Sequence, residues 1–113
     1  MYQTVRLKQG DNKPIDFHLL TWNRDNSNME DFDVSSHTVT YELYTDETET
    51  PLITNGPCTI DDAERGYVSC ILDSATLDPG MYRLAYIAVD ETSTWRFPEY
   101  GFQGLFITSD GTF

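Results

Sequence analysis

The sequence predicts an all-β fold, an immunoglobulin-like antiparallel β-sandwich of seven or eight strands, and three observations predict it. First, residues 77–89 open with Asp78-Pro79-Gly80 and then alternate, with Tyr82, Leu84, Tyr86 and Ala88 on one face and Met81, Arg83, Ala85, Ile87 and Val89 on the other. Proline presets a negative φ, glycine accepts a positive one, and a period of two is what a strand imposes, so a turn feeds a strand here. Second, several other short segments of this kind recur between turn residues along the chain. Third, no window of useful length carries the 3.6-residue apolar period of an amphipathic helix.

Both faces of the 81–89 strand are largely apolar, which predicts a central position in its sheet. The spacing Asp78-x-Gly80-x-Tyr82 matches a tyrosine corner, in which a phenol near the start of strand F bonds back to the backbone by the turn. This motif concerns folding and carries no catalytic information.

In chain order, residues 2–8 read as a short edge strand that ends in a bend over Gln9-Gly10-Asp11-Asn12-Lys13-Pro14. Ile15, Phe17 and Leu19 then alternate with Asp16, His18 and Leu20, a second strand running toward Trp22. Residues 23–31 are polar and rich in Asn and Asp, have nothing to bury, and are expected to be a loop. Residues 38–44 make the cleanest half-buried strand, with Val39, Tyr41 and Leu43 on one face, and the acidic run Asp46-Glu47-Thr48-Glu49-Thr50 ends it. Residues 51–54 and 58–61 are weaker strands separated by an expected turn at Asn55-Gly56-Pro57, and 67–72 is a stronger one. Residues 73–77 fit a single helical turn before the corner. Asp90-Glu91-Thr92-Ser93 is a hairpin-like connection into 94–97, Pro98 and Gly101 interrupt pairing, and 104–108 is the last strand.

At 113 residues the chain is a single domain over 1–113, large enough to bury a core without disulfides or metals. Nineteen acidic against seven basic residues give a net charge of −12, which repels phosphate backbones and anionic lipid, so neither nucleic acid nor membrane is an expected partner. Acidity of this kind first of all keeps a surface soluble. No apolar run approaches membrane-spanning length, and the first residues lack the basic and apolar regions of a signal peptide, so the expected site of folding is the cytosol. Cys58 and Cys70 flank the turn near Glu64-Arg65-Gly66, where they could face one another across a hairpin and oxidise; without an export signal, two free thiols are expected.

The search for chemistry returns no enzyme. Neither His18 nor His37 stands in a nucleophile context, and two cysteines with two remote histidines do not make a zinc pattern. Asp25, Asn26, Asn28, Glu30 and Asp31 crowd one segment with oxygen ligands, but the glycine and flanking helices of an EF-hand are missing, so no metal is assigned. Acidic pairs for glycoside hydrolysis can be drawn in too many ways to mean anything. No catalytic residue and no cofactor is assigned. What remains is an aromatic surplus: Trp95, Phe97, Tyr100, Phe102 and Phe106 fall close together, alternation cannot bury all five, and these residues are the candidate protein interface.

Several motifs stand in a familiar order: Leu7-Lys8-Gln9-Gly10-Asp11-Asn12-Lys13-Pro14, Phe32-Asp33-Val34-Ser35-Ser36-His37-Thr38-Val39-Thr40-Tyr41-Glu42-Leu43, Gly66-Tyr67-Val68, Leu77-Asp78-Pro79-Gly80-Met81-Tyr82 and Trp95-Arg96-Phe97-Pro98. Taken together they resemble the N-terminal domain of the baseplate upper proteins of tailed bacteriophages, over nearly the whole chain. The resemblance implies a β-sandwich that fastens a fibre or receptor-binding apparatus to the virion. The likeness stops at Phe113, where such proteins usually continue into a helical linker and further domains, so the expected role is a small adaptor on tail, baseplate or neck. Its partners would be other virion proteins and copies of itself, and its location the virion, assembled in host cytoplasm. The alternatives are a capsid decoration protein and a carbohydrate- or receptor-binding module using Trp95 and Tyr100 as stacking platforms.

Overall fold

The computed structural model describes residues 4–23, 25, 27–98 and 102–109. Among these the chain is all-β, with eleven strands: β1 (Val5–Lys8), β2 (Ile15–His18), β3 (Leu20–Asn23), β4 (Asn28–Asp31), β5 (Thr38–Thr45), β6 (Ile53–Pro57), β7 (Thr59–Asp62), β8 (Tyr67–Cys70), β9 (Gly80–Val89), β10 (Thr94–Phe97) and β11 (Gln103–Thr108). One 3-10 turn, Ser74–Thr76, occupies the expected helical turn.

The largest sheet has the order β1-β11-β9-β5-β6. β9 is its centre: all eight residues of β5 pair antiparallel along one side of it. Its other side is shared by β11, opposite 80–84, and β10, opposite 86–89. β1 is the edge strand and runs parallel to β11. The second sheet has the order β2-β8-β7, all antiparallel, and β3 and β4 form a separate hairpin.

Of the two faces of β9, the one carrying Tyr82 lines the core. Tyr82, Leu84, Tyr86 and Ala88 are buried together with Val39, Tyr41 and Leu43 of β5 and Leu105 and Ile107 of β11. The second sheet closes this core from the opposite side: Phe17 of β2 stacks on Tyr86 with ring centres 4.3 Å apart. The Tyr86 hydroxyl, buried in the same layer, donates to Gln103 Oε1 at 2.7 Å and so is not left unsatisfied. The tyrosine corner forms as the spacing predicts, with Tyr82 Oη donating to the Asp78 carbonyl at 2.6 Å. Ser74, fully buried, ties the first bend to the 3-10 turn by accepting from Gly10 N–H and donating to the Asp11 carbonyl.

The strand count exceeds the expected seven or eight for local reasons. The second strand breaks at Leu19, whose N–H donates to Gly66 O in place of a ladder bond, and the chain restarts as β3. Within 23–31, expected to be a loop, Asn28–Asp31 instead form β4, paired with β3 from Leu20 opposite Asp31 to Asn23 opposite Asn28. Every residue of β4 is exposed, so backbone pairing makes this strand and no apolar alternation announces it.

The turn expected at Asn55-Gly56-Pro57 lies within β6. Gly56 passes beneath the Tyr41 ring, where an added Cβ would come within 2.3 Å of ring carbon. Asn55 takes φ +55°, which Asn tolerates better than most residues, and Pro57 needs no ladder donor on an edge strand. Cys58, half-buried, and Cys70, buried, are thiols here. Hydrogen bonding to Cys70, and then burial, hold the Cys58 thiol well above its usual range.

Candidate functional site

Alternation sends one set of side chains from the largest sheet into the core and the other set outward, and the outward set forms the candidate docking face. Along β11 the buried residues are Gln103, Leu105 and Ile107, which leaves Phe106 on the outer side together with Phe102 just before the strand. On β9 the outward residues include Met81, 45% exposed, and Val89, 39% exposed.

Cations cap the outer aromatics. Arg83 and Arg96 lie on the Phe102 ring, 4.6 and 4.5 Å from its centre, and Arg6 lies 5.5 Å from that of Phe106. A guanidinium over a ring face is attracted by the ring quadrupole. Tyr44 packs edge-on to Phe102 and donates to Glu42 at 3.0 Å. Burial and that bond to Glu42 hold the Tyr44 phenol above its ordinary range. Arg83 also donates from Nε to the Thr45 carbonyl at 3.1 Å and from Nη2 to the Thr48 carbonyl, which pins the acidic 46–49 loop beside the face.

The five aromatics expected to form one interface do not share a surface. Phe102 and Phe106 are on the outer face. Phe97 is 1% exposed and belongs to the core, opposite Tyr86, so it has no interface role. Trp95 pairs with Ala88 and therefore sits on the inner side, where it is 43% exposed and packs on Phe32 with ring centres 5.2 Å apart. Tyr100 lies outside the described residues.

Two features went unread in the sequence. The arginine caps join residues up to a hundred positions apart, and only strand register brings them together. Trp22 and Met29, opposite one another on the β3–β4 hairpin, form a second exposed apolar pair, hidden by the expectation of a loop. The outer face also holds a trough of about 470 Å³ lined by Thr38, Thr40, Glu42, Asn55, Ile87, Val89 and Thr94.

The groups that could do chemistry are engaged elsewhere. His18 Nε2 lies 2.8 Å from Asp31 and 2.9 Å from the Arg65 carbonyl, and its ring stacks on Tyr67, so it fastens the hairpin to the second sheet. His37 Nε2 lies 3.3 Å from Asp90. Backbone N–H of Thr92, and the hydroxyl and N–H of Ser93, bond Asp90 and draw its carboxyl down to about 2, as a turn acceptor does. Among the described residues no group of three or more His, Cys, Asp and Glu could hold a metal ion.

Comparison with protein-family models and with curated proteins returns no match for this chain.

Proposed function

We propose that this chain is a non-enzymatic structural domain of a tailed-phage virion, an adaptor that docks a fibre or receptor-binding apparatus to the tail, baseplate or neck. The observation that carries the docking role is the outer face of the largest sheet, where Met81 stands exposed opposite arginine-capped Phe106, with capped Phe102 nearby and Val89 exposed at the far end of β9. Central-strand apolar side chains left exposed, with arginine and aromatics around them, have the composition of a protein interface core. The virion assignment rests on the ordered motif set. The pairing order supports the immunoglobulin-like part of the reading: β11-β9-β5-β6 facing β2-β8-β7 follows the G-F-C-C′ and B-E-D arrangement of variable-type sandwiches, with β1 added parallel to β11. Electron microscopy of particles lacking this chain tests it. Density missing at one defined position is the expected result, and particles unchanged in composition and density overturn the proposal.

The carbohydrate-binding alternative has one observation in its favour, the hydroxyl-lined trough on the same face. Its stacking platform is out of place, because Trp95 points to the other side of the sheet. A glycan array separates the two readings, with sugar binding lost in Trp95→Ala or Glu42→Ala favouring the alternative.

A further inference from the structure

The outer face of the largest sheet is complementary to itself. β9 has β11, with β1 beyond it, and β10 on one side and β5 and β6 on the other. Its outward side carries exposed Met81 and Val89 at its two ends, with Arg83, buried Ala85 and half-buried Ile87 between them. Left of β9, exposed Arg6 and Lys8 project from β1, since Leu7 between them is buried. Right of it, the exposed loop after β5 carries Asp46, Glu47 and Glu49.

These two charged flanks lie at the same end of β9. Arg6 pairs with Phe106, and Phe106 pairs with Met81. Thr45 pairs with Tyr82, so the acidic loop leaves the sheet level with Met81.

We infer that this face is where a second copy of the chain docks, related by a two-fold axis parallel to β9. Rotation about that axis lays β9 on β9 and β1 over the partner copy's β5–β6 loop. Arg6 and Lys8 then meet Asp46, Glu47 and Glu49, and symmetry makes the same contact twice. The strands of this sheet hold 37 residues between them, and at about 4.8 Å by about 3.3 Å each they give a face of roughly 590 Å², close to the about 600 Å² per partner of the smallest specific interfaces. The net charge of −12 on each copy opposes association at low ionic strength, whereas at about 0.15 M salt the screening length is about 8 Å and the facing charges dominate. The inference rests on reading this face as a docking surface and is independent of the virion assignment.

Light scattering or sedimentation equilibrium at about 100 µM protein and about 0.15 M salt tests it. The expected mass is twice the 13.0 kDa of one chain. Arg6→Glu with Lys8→Glu, and separately Asp46→Lys with Glu47→Lys, each place like charges across the axis and are expected to give single chains. Mixing the two variants makes both contacts attractive again, and two-chain particles containing one of each should reappear. Met81→Lys sets a charge against its own copy on the axis and should also yield single chains, so the result does not hang on one pair of variants. A single-chain mass for the unaltered protein, an unaltered dimer in both reversals, or a mixture that stays monomeric overturns the inference. A single chain that still captures a virion protein through Arg6 and Met81 overturns self-docking while leaving the docking reading intact.

Discussion

The two faces of β9 differ in what they do, although they are built from alternate residues of one strand. Its inner face, Tyr82, Leu84, Tyr86 and Ala88, is closed by the second sheet and carries the fold. Its outer face is polar at Arg83, small at Ala85 and apolar at Met81 and Val89, and no element of the described residues covers the last two. Position within the sheet therefore does not decide the role of a residue on a central strand; the face does. On the outer face only the two ends, Met81 and Val89, are exposed, and between them Arg83 lies over Phe102 and Ala85 is buried.

Substitutions on the two faces should separate these roles. Leu84→Ala empties a fully buried site and is expected to cost about 3 kcal/mol in urea unfolding. If it costs no more than Met81→Ser, the distinction between the faces fails. Alkaline pH attacks the same inner layer. Burial holds the Tyr86 phenol far above its ordinary value of 10.0. Its contribution is present below pH 10 and lost as pH rises, because the unfolded chain releases the proton first. Stability should fall by about 1.4 kcal/mol per pH unit above 10 from this group, a slope that Tyr86→Phe should reduce.

Gly56→Ala drives a methyl group into the Tyr41 ring and should cost about 2 kcal/mol. Tyr82→Phe removes only the corner hydrogen bond to Asp78 and should cost about 1 kcal/mol, measured by thermal unfolding. Met81→Ser, on the outer face, should change stability by less than about 0.5 kcal/mol while weakening association. A larger loss of stability would mean that Met81 belongs to the fold and not to a surface.

The sequence made the alternation of the long strands legible and left the outer face in fragments. Alternation marked the buried face of β5 and sorted β9 into its two faces, and the Asp78-x-Gly80-x-Tyr82 spacing located the corner, because these signals are local; which face of β9 is buried was not readable, both being largely apolar. The β3–β4 hairpin was illegible for the opposite reason: β4 buries no side chain, so its only signature is backbone pairing. β6 was misread because Asn55, Gly56 and Pro57 have turn chemistry in isolation, while the ring of Tyr41 fifteen residues before Gly56 requires a glycine there. Clustering along the chain likewise grouped buried Phe97 with surface residues, and joined Trp95 to Phe102 and Phe106, whose face it does not share. Successive positions on β10 point to opposite sides, and Phe102 and Phe106 found their companions in Arg6, Arg83 and Arg96, which only register could reveal.

The parallel neighbours β1 and β11 give the domain a mechanical property. Val5 lies opposite Leu105 and Lys8 opposite Thr108, so the backbone enters the sheet at one pole and leaves at the other. Tension drawn through these two strands loads all their bonds together in shear. Tension drawn through β5 and β6, antiparallel neighbours joined by one loop, peels their bonds apart singly. In single-molecule pulling, attachment across β1 and β11 should yield at the higher force, the behaviour required of a joint that holds while something tugs on it.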